Sequence, residues 1–163
     1  MPEAVDTESV LLGRQADVID DAEHSRSEIR ALLDSRSDAV RMKDIDRLMS
    51  LYSPHVVYFD VVPGLQFTGS AALKARFLQW FDSADGSIDM EIRDLNILAG
   101  GNIGVAYMLN RTSGTLKNGR KVGHWVRATV CCRRSNHRWL IEHEHISLPV
   151  NFESGRAAMD LVP

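Results

Sequence analysis

The strongest constraint on how this chain can fold is a change of hydrophobic period near Gly86. Before it, apolar residues recur every three or four positions; after it they alternate, through 87–99, 103–116, 120–134 and 138–149. The links between these four alternating segments are short. Gly100, Gly101 and Asn102 form the first, Asn118 and Gly119 the second, and Ser135 and Asn136 lie in the third, each suited to an antiparallel hairpin. The first half of the chain supplies helices to cover this meander. Ser25 and Glu28 have capping-box spacing, and Ile29, Leu32, Leu33, Ala39 and Val40 then share one face of a helix over 25–42. A short second helix carries Ile45, Leu48 and Met49, with Ser53 and Pro54 as its stop. Residues 56–60 form a brief β-rich run that closes in a Pro63, Gly64 turn. Ser70, after Gly69, is the predicted N-cap of a third helix that turns Leu73, Phe77, Trp80 and Phe81 inward. Helices first and a meander afterwards predict an α+β fold.

One domain is expected over 25–149, between a flexible acidic arm at 1–24, where Asp17, Asp20, Asp21 and Glu23 cluster, and a tail at 150–163. A chain of 163 residues that is 44% hydrophobic and 25% charged has the composition of a globular domain with one core. Its formal net charge of −3 provides no basic footprint, so nucleic acid and anionic membrane surfaces are not expected partners. No apolar run approaches the roughly 18 residues of a membrane span, and the acidic start lacks the features of a secretory signal, so a cytoplasmic location is expected. The neighbours Cys131 and Cys132 point to opposite faces of a strand, a poor disulfide geometry, and read as small core residues.

Trp139, Leu140, Ile141, Glu142, His143, Glu144, His145, Ile146, Ser147, Leu148 and Pro149 form a strand with four ionisable side chains in succession. Strict alternation sends His143, His145 and Ser147 to one face and Glu142, Glu144 and Ile146 to the other. Two histidines at i and i+2 have Cα atoms about 6.5 to 7 Å apart, and could share a metal if a third ligand such as His124 converged. No third ligand is evident in the sequence, and no metal is assigned.

This order of elements resembles the SnoaL-like branch of the nuclear transport factor 2 superfamily, which also includes ketosteroid isomerases and the association domain of calmodulin-dependent kinase. The marks are Trp139 followed by His143, His145, Ser147 and Pro149, and the alternating Trp125, Arg127 and Thr129. Tyr58, Phe59, Asp60 and Phe67, Thr68, Gly69 add to them. The resemblance covers about 25–149 and implies a cone-shaped, cystatin-like roll: three N-terminal helices packed on a curved, mainly antiparallel sheet, with a ligand pocket between them. Superfamily members include isomerases, cyclases, dehydratases and purely associative domains, so architecture alone does not choose a function.

The resemblance places Asp60 where ketosteroid isomerases carry the carboxylate that moves a proton between substrate carbons. An apolar surround would make it a better base; the plainer alternative is a solvated aspartate before a turn. The two oxyanion donors of those isomerases are not matched here. Arg36 or Ser37 stands near one position, and Arg127 or Ala128 near the other. Arg127 would then hold a developing anion, or else pair with Glu142 or Glu144 across strands. Tyr58 could donate a hydrogen bond beside Asp60. Trp125 and Thr129 would share a cavity-lining stripe with Arg127 if that face is concave, although core packing also accounts for Trp125. Alignment with the family turns Glu144 inward and places His143 and His145 on the convex face at a dimer interface, with a ligand-binding role for either as the alternative. Two functions follow: a cofactor-independent isomerase, cyclase or dehydratase acting on a small apolar or carbonyl-containing molecule, or a non-catalytic ligand-binding or association module. A homodimer is expected in both cases.

Overall fold

The computed structural model describes residues 7–163, with side chains from residue 21 onward. Three helices precede the long strands: α1 (Thr7–Arg41), α2 (Ile45–Met49) and α3 (Ser70–Ser83). The strands are β1 (Tyr52–Phe59), β2 (Phe67–Thr68), β3 (Ala84–Gly100), β4 (Ile103–Leu116), β5 (Lys121–Ser135) and β6 (Arg138–Ser147). They form one six-stranded sheet in the order β2-β1-β6-β5-β4-β3. Only β1 against β6 is parallel; every other pairing in this sheet is antiparallel. Helices lie against one face of this curved, mainly antiparallel sheet, as the α+β reading requires.

Three boundaries differ from the sequence reading. The first helix does not start at Ser25, because α1 is already helical from Thr7; Ser25 Oγ donates to the Asp21 carbonyl one turn earlier instead of capping. The expected arm at 1–24 is therefore helical over 7–24, and its residues 1–6 lie outside the described residues. Helix α2 ends at a Ser50 cap, so Ser53 and Pro54 are already part of β1. Pro54 is tolerated there because the β1–β6 register is irregular between Tyr52 and Val57. Gly69, at φ 82, occupies the N-cap of α3, a backbone conformation that favours glycine over the predicted Ser70. The tail at 150–163 contains a small hairpin of β7 (Val150–Asn151) and β8 (Arg156–Ala157).

The meander follows from its turns and its alternation. Asn136 and Asn136's neighbour His137 both have positive φ, the twist-matched geometry of a two-residue hairpin loop between Ser135 and Arg138. Beneath the helices, β4 buries Ala106, Met108 and Asn110, and β5 buries Val126, Ala128, Val130 and Cys132. Ile29, Leu33 and Val40 from α1, with Leu73, Phe77 and Phe81 from α3, close the core over that face. Strand β6 changes parity midway. Cys131 pairs with His143 and Cys132 with Ile141, so Glu142 is an unpaired extra residue, a bulge. As a result Trp139 and Ile141 are buried before the bulge, and Glu144 is buried after it.

Candidate functional site

The core is incomplete between α3 and the concave sheet face, where a cavity of about 230 Å³ remains. For scale, an apolar cavity of about 150 Å³ admits benzene. Its lining is mostly apolar, from Phe77, Trp80, Met90, Val126 and Ile146 among others. Tyr58 packs edge-on against Phe77, with ring centroids 5.7 Å apart, and Phe77 leans on Trp80 at 6.3 Å. These aromatic contacts hold one wall in place.

Asp60 follows the last residue of β1 and reaches this cavity with a side chain only 3% exposed. Its surround is not purely apolar. Arg76 of α3 places Nε 2.8 Å from Asp60 Oδ2, while Oδ1 accepts the Val61 backbone N–H at 2.7 Å. The Arg76 contact is one of charge rather than alignment, since Nε makes no hydrogen bond of adequate angle. Tyr58 lines the cavity beside Asp60, and burial, followed by the nearby Glu144, pushes its hydroxyl well above the ordinary tyrosine range. It therefore remains a neutral phenol able to donate.

Beneath Tyr58 lies a buried polar triad. Arg36, on the buried face of α1, donates from Nε to Tyr52 Oη at 2.9 Å and from Nη2 to Glu144 Oε1; Tyr52 in turn donates to Glu144 Oε2 at 2.7 Å. Burial opposes the Arg36 charge, but Glu144 and Tyr52 outweigh it and hold the guanidinium firmly protonated. Burial likewise raises the Tyr52 hydroxyl above its ordinary range. Glu144 thus points inward as expected, but its role is to compensate a buried cation at the cavity floor.

The stripe expected to line the cavity lies on the opposite face. Arg127 and Thr129 are exposed, and Trp125 is half-buried on the convex side, under the Arg93 guanidinium at 5.1 Å and beside the tail residues Met159 and Leu161. Arg127 cannot stabilise an anion in this cavity. It also lacks the anticipated cross-strand partner: Glu144 is held by Arg36, and Arg133 is the cation near Glu142, at 3.9 Å. His143 and His145 are convex too, packed edge-on against Phe59 at 4.8 and 5.5 Å. His143 Nδ1 donates to the Val57 carbonyl at 2.7 Å. His124 faces the cavity, away from both, so these three histidines do not converge on a metal. Among the described residues, no cluster of three or more His, Cys, Asp or Glu side chains has metal-binding geometry. No helix among them is long and apolar enough to cross a membrane.

The cavity gains residues that sequence reasoning had not assigned to it. His124 and Val126 on β5, Asn110 and Thr112 on β4 and Arg76 on α3 line it, together with Arg36 on α1, which the resemblance had set near an oxyanion-donor position. Burial lowers the His124 pKa and favours the neutral imidazole. Signals for these residues were present. His124 shares the parity of Val126, Ala128 and Val130, Asn110 that of Ala106 and Met108, and Arg76 lies one turn before Trp80 on the inward side of α3.

Three comparisons place this architecture among known proteins. The SnoaL-like domain family model matches residues 29–151. An NTF2-like protein of unknown function from Pseudomonas putida KT2440 is 32% identical, with a TM-score of 0.80 over 87% of this chain and 99% of that one. A ketosteroid isomerase-like protein from Erwinia carotovora atroseptica SCRI1043 shares the fold at 16% identity, with a TM-score of 0.65 over 75% and 94% of the two chains. The association domain of C. elegans CaMKII does so at 17% identity, with a TM-score of 0.63 over 78% and 98%. No curated protein matches the chain.

Proposed function

The chain belongs to the SnoaL-like domain family, and on that premise we propose that it binds a small apolar, carbonyl-containing molecule in the cavity and moves a proton on it, with Asp60 as the base. The observation that carries this reading is a carboxylate withdrawn from solvent at the wall of an apolar hollow, with a neutral phenol beside it. Proton abstraction next to a carbonyl requires a base within reach of the C–H and a donor for the enolate oxygen. Asp60 supplies the first and Tyr58 the second. Arg76, paired with Asp60, positions the carboxylate. Double-bond isomerisation, aldol-type cyclisation and β-elimination of water from a carbonyl compound share this step, for which side chains suffice.

The test is deuterium exchange at the carbon next to the carbonyl across a panel of cyclic ketones, followed by NMR. Asp60→Asn is expected to slow exchange on any responsive ketone by about a hundredfold or more. Activity within about tenfold of wild type would dismiss Asp60 as the base.

A second reading, association of two copies, is favoured by Leu98, Ile103 and Tyr107, which are roughly half exposed and share the convex face of β3 and β4. A homodimer would cover this patch. Light-scattering mass at micromolar concentration tests it: a dimer that Tyr107→Arg converts to monomer supports it, and a wild-type monomer removes it.

A further inference from the structure

Asn110 is 2% exposed and lines the cavity, yet its Oδ1 has no hydrogen-bond partner among the described residues. A buried amide oxygen without a partner is costly, and it is retained where something else satisfies it. Its surroundings point to a ligand. Thr112 lies one pleat further along β4 and pairs directly with His124 on β5, while Asn110 pairs with Val126. These three polar groups form an island on a wall otherwise made of Met90, Val122, Val126 and Ile146.

The island is separated from the proposed base. Asn110 lies on β4 and Asp60 at the end of β1, with β5 and β6 between them. Three strand spacings amount to about 14 Å along the sheet, shortened across the cavity by curvature. A group held by Asn110 is therefore at the far end of a ligand whose reacting end meets Asp60. The two guanidinium groups that line the cavity are engaged elsewhere, Arg36 by Tyr52 and Glu144 and Arg76 by Asp60, while Arg111 and Arg127 are exposed on the opposite face. An anionic substituent would be poorly served there. A hydroxyl both donates and accepts, so it satisfies the amide in either of its orientations.

Resting on the reading of the cavity as a ligand site, we propose that Asn110, flanked by Thr112 and His124, is a specificity subsite for a neutral cyclic carbonyl compound bearing a hydroxyl at its far end. The probes are 4-hydroxyacetophenone and 4-methylacetophenone, which have the same ring and carbonyl and differ by hydroxyl against methyl. They are titrated by calorimetry below the pKa of the phenol. Hydrophobicity alone favours the methyl compound. Wild-type protein is expected to prefer the hydroxyl compound by about tenfold, the size of one buried hydrogen bond made or left unmade. Asn110→Leu should reduce that preference to within about twofold. Its melting temperature should be equal or higher, because an unpartnered amide has been replaced by an apolar group. Asp60→Asn should keep the preference, which separates recognition from proton transfer. Equal wild-type affinities overturn the subsite and leave the cavity as a ligand site, with water as the partner of Asn110. A preference surviving in Asn110→Leu also overturns it. Binding of neither probe overturns the reading of the cavity and the subsite together.

Discussion

Successive residues of β5 have opposite fates: Val126, Ala128 and Val130 are buried under the helices, whereas Arg127 and Thr129 face outward and are exposed. The concave face combines an apolar wall with a few buried polar groups, each paired or aimed into the hollow. The convex face carries more charge, including Arg93, Arg111, Arg127 and Arg133, in contacts open to water. A polar residue therefore has a different meaning on each face. On the inner one it compensates a buried charge or, on the proposed reading, addresses a ligand; on the outer one solvent already satisfies it.

The largest expected effect that would break this contrast is at Glu144. Glu144→Ala leaves Arg36 buried without its counter-ion, and denaturant unfolding should show a loss of about 3 to 5 kcal/mol. A loss below about 1 kcal/mol would mean that the triad is solvated and that the inner face is less dry than described. A smaller effect is expected from His124, whose pKa burial holds below its ordinary value of about 6.5. As pH falls below that value, the unfolded chain takes up a proton that the folded chain resists. The stability associated with neutral His124 is thus complete above about pH 6.5 and declines in more acidic solution. Melting curves from about pH 7 to pH 5 should be less steep in pH for His124→Gln than for wild type. An unchanged slope would place His124 in water. The smallest effect belongs to Arg127→Ala, expected to change stability by less than about 0.5 kcal/mol and to leave proton exchange and probe binding unaltered. A marked loss of exchange would return Arg127 to the site and reverse the assignment of faces.

Most of the architecture was legible because period and turn chemistry are local. The switch near Gly86, the glycines and asparagines of the hairpins and the inward stripe of α3 each specify their element without distant information. The start of α1 was not, since Ser25 with Glu28 carries a capping signature that an ongoing helix overrode. Asp60 and Tyr58 were found in the cavity because they lie where β1 ends, which the resemblance identified. On β5 the error was one of face. The parity of Val126, Ala128 and Val130 marked the inward side, yet the conspicuous Trp125, Arg127 and Thr129 drew the assignment to the opposite one. The partners of Glu144 were beyond local reading, because Arg36 and Tyr52 meet it only after α1, β1 and β6 have packed together.

A single supernumerary residue keeps β6 in frame. Because Glu142 has no opposite number on β5, the two halves of that strand obey different odd-even rules, and spacing counted from Trp139 gives the wrong side for everything after Ile141. Were Glu142 instead taken into the ladder opposite Cys131, the distal half would turn over, exiling Glu144 to solvent and driving two imidazoles toward the oily interior, with Arg36 stranded; excising Glu142 would leave every face as it is, because Cys132 with Ile141 and Cys131 with His143 are already consecutive pairs. The orientation of the distal half of β6 thus depends on one residue being passed over in the ladder.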